Sequence, residues 1–179
     1  MTRRIWGAAL YMGIMLALAA VLLAAQGWLC APWRSRTAEL PGGVTAALHA
    51  ARFTLQKGEQ TLYESEPGWR VEDFLVGDLD HDGGQDLALL VWRRGSFGPH
   101  LPFWQTERET TFSQHIFLYH LEADGMQPFW MSSALDPQVR RWAMDAHDDL
   151  EILTREGEQT RWGWRGWGLE RLDQPPRRL

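Results

Sequence analysis

Two apolar runs, Phe74-Leu75-Val76 and Leu87-Ala88-Leu89-Leu90-Val91-Trp92, flank the segment Asp78-Leu79-Asp80-His81-Asp82-Gly83-Gly84-Gln85-Asp86. No other stretch restricts the fold as tightly. The pattern D-x-D-x-D-G-x-x-D places carboxylates at positions 1, 3, 5 and 9 of one bend. Like charges about 4 Å apart repel by roughly 4 kcal/mol at an effective dielectric near 20. Such a bend either splays into water or closes on a cation. Gly83 permits a sharp reversal, and the carbonyl of Gly84 supplies a fifth oxygen. All these donors are hard oxygens, which favours Ca²⁺ over Zn²⁺. The candidate ligands are Asp78, Asp80, Asp82, Asp86 and the Gly84 carbonyl, with His81 pointing away. An EF-hand is excluded: Leu89 stands where its bidentate Glu belongs, and the flanks read as strands rather than helices.

The rest of the chain beyond residue 50 also alternates with a period of two. Phe53, Leu55, Lys57-Gly58, Leu62 and Tyr63 predict a hairpin with a glycine turn. The six-residue apolar run from Leu87 is short and bounded by turn residues, so it predicts a buried strand. Ile116–Tyr119, Asp124-Gly125 and Phe129–Met131 predict a further hairpin, followed by Val139–Met144 and Leu150–Leu153. Aligning Asp78 with Asp145, Asp86-Leu87 with Asp149-Leu150, and Phe53 with Phe117 gives two units of paired hairpins. These cover residues 51–92 and 115–172, within a β-domain of 51–174 and before a tail of 175–179. In this alignment the second acidic loop is four residues shorter and lacks the glycine. Trp162, Trp164, Trp167 and Leu169 read as one final strand with a packed face. Residues 35–50, with Pro41-Gly42-Gly43, read as a linker.

At Val76-Gly77, Asp78, Asp80, Asp82, Gly83, Asp86 and Leu87 the chain resembles the FG-GAP/VCBS repeat family, the propeller-type repeats of integrin α-chains and many bacterial surface proteins. The resemblance implies an all-β fold and calcium held by Asp78, Asp80, Asp82, Asp86 and the Gly84 carbonyl, in a hairpin between two blade strands. A closed propeller needs at least four blades. Two units therefore imply a small sandwich, or association of copies into an oligomer. The segment Phe74–Asp80 also resembles the nucleophile motif of haloacid-dehalogenase phosphatases, which would make Asp78 the nucleophile, Asp80 the acid-base and Asp148-Asp149 Mg²⁺ ligands. That alternative lacks its downstream lysine, because Lys57 is the last one in the chain.

The N-terminus sets the location. Arg3 and Arg4 precede an uncharged run of 21 residues, Ile5–Ala25. As a helix this would span about 31 Å, enough to cross a bilayer core. Trp6 and Tyr11 at one end, and Trp28 and Trp33 past the other, suit the two interfaces. Residues 1–34 thus read as a single-pass transmembrane signal anchor, with the β-domain outside the cytoplasm, or secreted if Ala25-Gln26-Gly27 is cleaved. Beyond residue 34 lie all 23 acidic residues and 15 of the 18 basic ones, a charge of −8 that gives no footprint for nucleic acid. The single cysteine, Cys30, allows neither an internal disulfide nor a CxxC motif. The long connection 93–114 carries Phe97, Phe103 and Trp104 as candidate binding residues. The expected protein is a non-catalytic, membrane-anchored calcium module that binds a protein or polysaccharide of the envelope or surface.

Overall fold

The computed structural model describes residues 2–25, 34–95 and 111–174. Helix α1 (Thr2–Ala25) leads into twelve strands. They are β1 (Ser35–Leu40), β2 (Val44–His49), β3 (Arg52–Lys57), β4 (Gln60–Glu64), β5 (Arg70–Gly77), β6 (Asp86–Arg94), β7 (Phe112–Glu122), β8 (Gly125–Met131), β9 (Val139–Met144), β10 (Leu150–Thr154), β11 (Gln159–Trp164) and β12 (Leu169–Arg171). Each successive group of four forms one antiparallel sheet in chain order. The fold is all-β, built from three four-stranded meanders.

The three sheets stack face to face, and the middle one is covered on both sides. Along β6, Leu87, Leu89 and Val91 enter a core shared with the first sheet's Val44, Ala46, Leu48, Phe53 and Leu55. The alternate residues, Ala88 and Leu90, enter a second core with Val139, Trp142, Leu150 and Ile152 of the third sheet. β7 divides in the same way, with Phe117 and Tyr119 to one side and Ile116 and Leu118 to the other. A strand buried on both faces is apolar throughout, which accounts for the uninterrupted run in β6. The outermost faces are polar, with Thr37, Glu39 and Gln56 exposed at one end of the stack and Arg141, Glu151 and Gln159 at the other. The stack therefore ends at three sheets.

Several sequence expectations change. Residues 35–50 are no linker: β1 and β2 form a hairpin, closed by a Pro41-Gly42-Gly43 loop in which both glycines have positive φ, 75° and 72°. There are three sheets rather than two paired-hairpin units, and the expected units straddle them. Their likeness is nonetheless structural, because equivalent strands recur. In the first sheet Phe53 N–H donates to Ser65 Oγ at 3.1 Å and Ser65 N–H to the Phe53 carbonyl at 2.9 Å. In the middle sheet Ile116 and Ser132 repeat both bonds at 2.9 Å. Phe53 thus corresponds to Ile116, one residue away from the expected partner Phe117. The Trp-rich tail is a hairpin rather than one strand. Trp162, Trp164 and Leu169 pack on the second core, while Trp167 at the turn is 83% exposed.

The expected membrane span is not borne out. Side chains of α1 are described from Tyr11 to Leu22, about 18 Å of helix. Among the described residues no helix is long and apolar enough to cross a membrane. All twelve of these side chains are exposed, so no sheet covers this part of the helix.

A β-bulge in β5 sets how the sheets join. Val71 pairs with Val91 and Asp73 with Leu90, leaving Glu72 as the extra residue. Without it, Val71 and Phe74, three apart, would face opposite sides; with it, both enter the first core. The bulge also buries two acids. Glu72 Oε2 accepts from Trp92 Nε1 at 2.7 Å and from Gln114 Nε2 at 2.8 Å. Gln114 also pairs with the backbone of Val139, donating at 3.1 Å and accepting at 2.6 Å. Asp73 accepts from Arg34, Arg36, the Phe74 N–H and Trp142 Nε1 at 2.9–3.3 Å. It thereby ties β5 to strands of both neighbouring sheets. Asp73→Ala orphans these donors and is expected to cost about 3 kcal/mol in urea unfolding. Arg34→Ala, whose side chain is 42% exposed, should cost under about 1 kcal/mol. Equal losses in the two variants would show that Asp73 is not the tie.

Candidate metal centre

The acidic segment joins β5 to β6, the first two strands of the middle sheet. Backbone conformation shapes the bend, with His81 at φ 61° and Gly83 at φ 86°. The aspartates then tie the loop through its own amides. Asp78 Oδ2 accepts from Gly83 N–H at 3.1 Å, Asp80 Oδ1 from Asp82 N–H at 3.2 Å, and Asp82 Oδ1 from Gly84 N–H at 2.6 Å. Asp86 Oδ2 accepts from the N–H groups of Leu79 at 2.9 Å and Asp80 at 3.3 Å.

Of the expected ligands, Asp78, Asp80 and Asp82 come together, each offering an oxygen within 4.8 Å of the others. Asp86 does not join that set directly. It groups with Asp80 and with His120 of β7, whose Nδ1 lies 3.0 Å from Asp86 Oδ1. His81 is exposed. Among the described residues no basic side chain forms an ion pair with Asp78, Asp80 or Asp82. Asp78 Oδ1 is buried and accepts no hydrogen bond there, and the same holds for Gln85 Oε1. A buried oxygen without a donor costs about 1–3 kcal/mol. A cation at Asp78 would remove that cost. Phe97, Phe103 and Trp104 lie outside the described residues.

The third sheet contains a sister bend that solves its charge problem internally. Arg161 of β11 places Nη2 2.7 Å from Asp145 Oδ2 and 2.8 Å from Asp149 Oδ2. Asp145 Oδ1 accepts from the N–H groups of His147 at 2.7 Å and Asp149 at 3.1 Å. Although desolvation pushes the other way, these bonds and Arg161 hold the Asp145 carboxyl below its ordinary pKa. Strand register also revises the alignment. Gly77 lies opposite Asp86, as Asp145 does opposite Asp149, so Asp145 takes the place of Gly77 and the second loop is five residues shorter. The two bends touch. A Cβ at Gly77 would come within 2.5 Å of Met144 Sδ and 2.6 Å of Asp148 Oδ1, so a side chain there would have to push these side-chain ends aside.

His120 and Arg161 were not legible as site residues, because each acts on a bend from a neighbouring strand of its sheet. Only pairing register brings His120 opposite Asp86. The phosphatase alternative requires its Asp-x-Asp between a strand and a helix in alternating layers. Here β5 runs through the bend into antiparallel β6. The chain was compared with protein-family models, curated proteins and solved structures, and none matches.

Asp86 is fully buried, and desolvation raises its pKa, partly countered by the His120 hydrogen bond. A raised acid leaves the fold undisturbed at low pH, where it is protonated both folded and unfolded. Stability is then lost as pH rises through the folded value. Asp86→Asn retains an acceptor for Leu79 and Asp80. In metal-free buffer it is expected to gain stability over the native chain from acid to neutral pH, as read by melting temperature. A constant difference across that range would remove the burial cost from the account.

Proposed function

We propose that this chain is a membrane-anchored, extracytoplasmic β-repeat module whose bend at residues 78–86 is locked by Ca²⁺, serving as a non-catalytic binding domain for a protein or polysaccharide of the envelope or surface. One observation carries the calcium reading. Three carboxylates converge in the first bend without a basic partner among the described residues and with a bare buried oxygen, while the shorter sister bend holds Arg161 between its acids. Within one molecule, one bend carries its own cation and the other leaves room for one. The resemblance to FG-GAP/VCBS repeats supports the choice of ion, since the bend joins the first two strands of a four-stranded antiparallel meander. The ligands would be Asp78, Asp80 and Asp82, with Asp86 and the Gly84 carbonyl completing an all-oxygen set that suits calcium.

The anchor rests on the uncharged run Ile5–Ala25 and on the exposure of every described side chain of α1, and it stands as a proposal beside the finding that no described helix is long and apolar enough to cross a membrane. A helix that is apolar all round needs an apolar environment, and the sheets do not provide one for Tyr11–Leu22.

Calcium at about a hundred times its dissociation constant stabilises by about 2.7 kcal/mol. For a chain of this size that raises the melting temperature by about 5–10 °C. The shift should vanish with chelator and be absent in Asp80→Ala. A melting curve indifferent to calcium would overturn the metal-locked reading. Magnesium-dependent phosphatase turnover lost in Asp78→Asn would replace it with the phosphatase alternative. For the anchor, the full chain is expected to float with phospholipid vesicles, and a chain beginning at Arg34 to stay in the aqueous fraction. Equal partitioning of the two would remove the membrane from the proposal.

A further inference from the structure

The geometry points to a second, chemically distinct metal position in the same bend: Asp80, Asp86 and His120 form a mixed nitrogen–oxygen site for a divalent first-row transition ion. The inference deepens the calcium reading, sharing Asp80 and Asp86 with it, and differs in the imidazole donor that decides selectivity. Ligand atoms of the three residues lie within 4.8 Å of one another. An ion about 2.1 Å from both His120 Nδ1 and Asp86 Oδ1, now 3.0 Å apart, would subtend roughly a right angle between them. That is the angle between adjacent ligands of an octahedral ion. Imidazole with carboxylates suits ions from manganese to zinc better than calcium, which takes oxygen alone.

The imidazole is held in place for this role. Its ring stacks on Phe129 with centroids 4.1 Å apart and planes 16° from parallel. Phe129 is in turn wedged edge-on against Trp164 of the third sheet at 5.1 Å. The stack fixes the ring plane, and Nδ1 faces the buried carboxylate. Asp86 is equally fixed, because its other oxygen accepts two loop amides. The sister bend is an internal comparison. Its register puts Gly163 opposite Asp149, where the middle sheet has His120 opposite Asp86. Gly163 has no side chain, so the position that carries the imidazole in the middle sheet offers no ligand in the third. The bend neutralised by Arg161 has no imidazole at that register position, and the bend that pairs with no arginine among the described residues has one.

The test uses the full chain in detergent micelles with Co²⁺ as a visible-absorbing probe, Zn²⁺ as competitor, and the calcium melting shift as a separate arm. His120→Phe keeps a ring to stack on Phe129 and removes the nitrogen; His120→Ala is the second variant. Cobalt absorption that zinc abolishes, weakened at least about tenfold in affinity in both variants while the calcium shift persists, supports the site. Cobalt binding equally well to the native chain and His120→Phe, or no cobalt absorption from the native chain, overturns it and leaves a His–Asp hydrogen bond. A lost calcium shift with His120-dependent cobalt binding retained would overturn the calcium reading instead.

Discussion

The three-sheet stack depends on one carboxylate. Asp73 lies on the middle strand of the three that open the sheets, and it accepts hydrogen bonds from Arg36 of β1, from Arg34 just before it, and from the indole of Trp142 on β9. A charge this deep is tolerated only when its oxygens are occupied. The occupants come from all three sheets, so displacing any layer strands a charge. The bulge at Glu72 makes this possible, by directing two successive acids inward while keeping Val71 and Phe74 on one apolar face. Arg36 completes the joint, donating to the Phe74 carbonyl at 2.8 Å and lying 4.9 Å above its ring.

From that joint the two ends of β5 take different roles. Its middle is locked to the neighbouring sheets, whereas its end feeds the acidic bend, where local amides do most of the holding. The two acidic bends present one electrostatic problem, which the third sheet answers within the chain. Carboxylates crowded at a strand reversal repel one another unless they splay into water or meet a positive partner. The third sheet supplies it covalently, as the guanidinium of Arg161, on a bend short enough for one side chain to reach both acids. Among the described residues the longer bend of the middle sheet has no guanidinium paired with its acids, and this is the charge that the proposed ion would meet. Gly77 lets the two bends lie against each other.

Much of the strand pattern was legible because it rests on local chemistry. Leu87–Trp92 fits a buried strand better than a helix, being short, uniformly apolar and bounded by turn residues. Gly58 marked a turn, and it has φ 59°. The hairpin at 35–50 is not legible in the sequence, because Pro41-Gly42-Gly43 suits a linker as well as a loop. Only the cross-strand register from Leu40 and Val44 to Ser35 and His49 distinguishes them. The repeat is legible along the chain only out of phase with the sheets, for a similar reason. Likeness between β3 and β7, and between β5 and β9, is visible along the chain, but which four strands share hydrogen bonds is not.

The sequence by itself determined the class of the fold, the position of the acidic bend and the donor atoms it offers. Those follow from period-two patterning, glycine placement and the hardness of carboxylate oxygen, all properties of neighbours along the chain. Only the tertiary structure decided the number of sheets, the burial of Asp73 and the pairing of Asp86 with His120 and of Asp145 and Asp149 with Arg161. Each of those unites residues at least a dozen positions apart or on separate strands, and their energies come from desolvation and register, which exist only once the layers have closed.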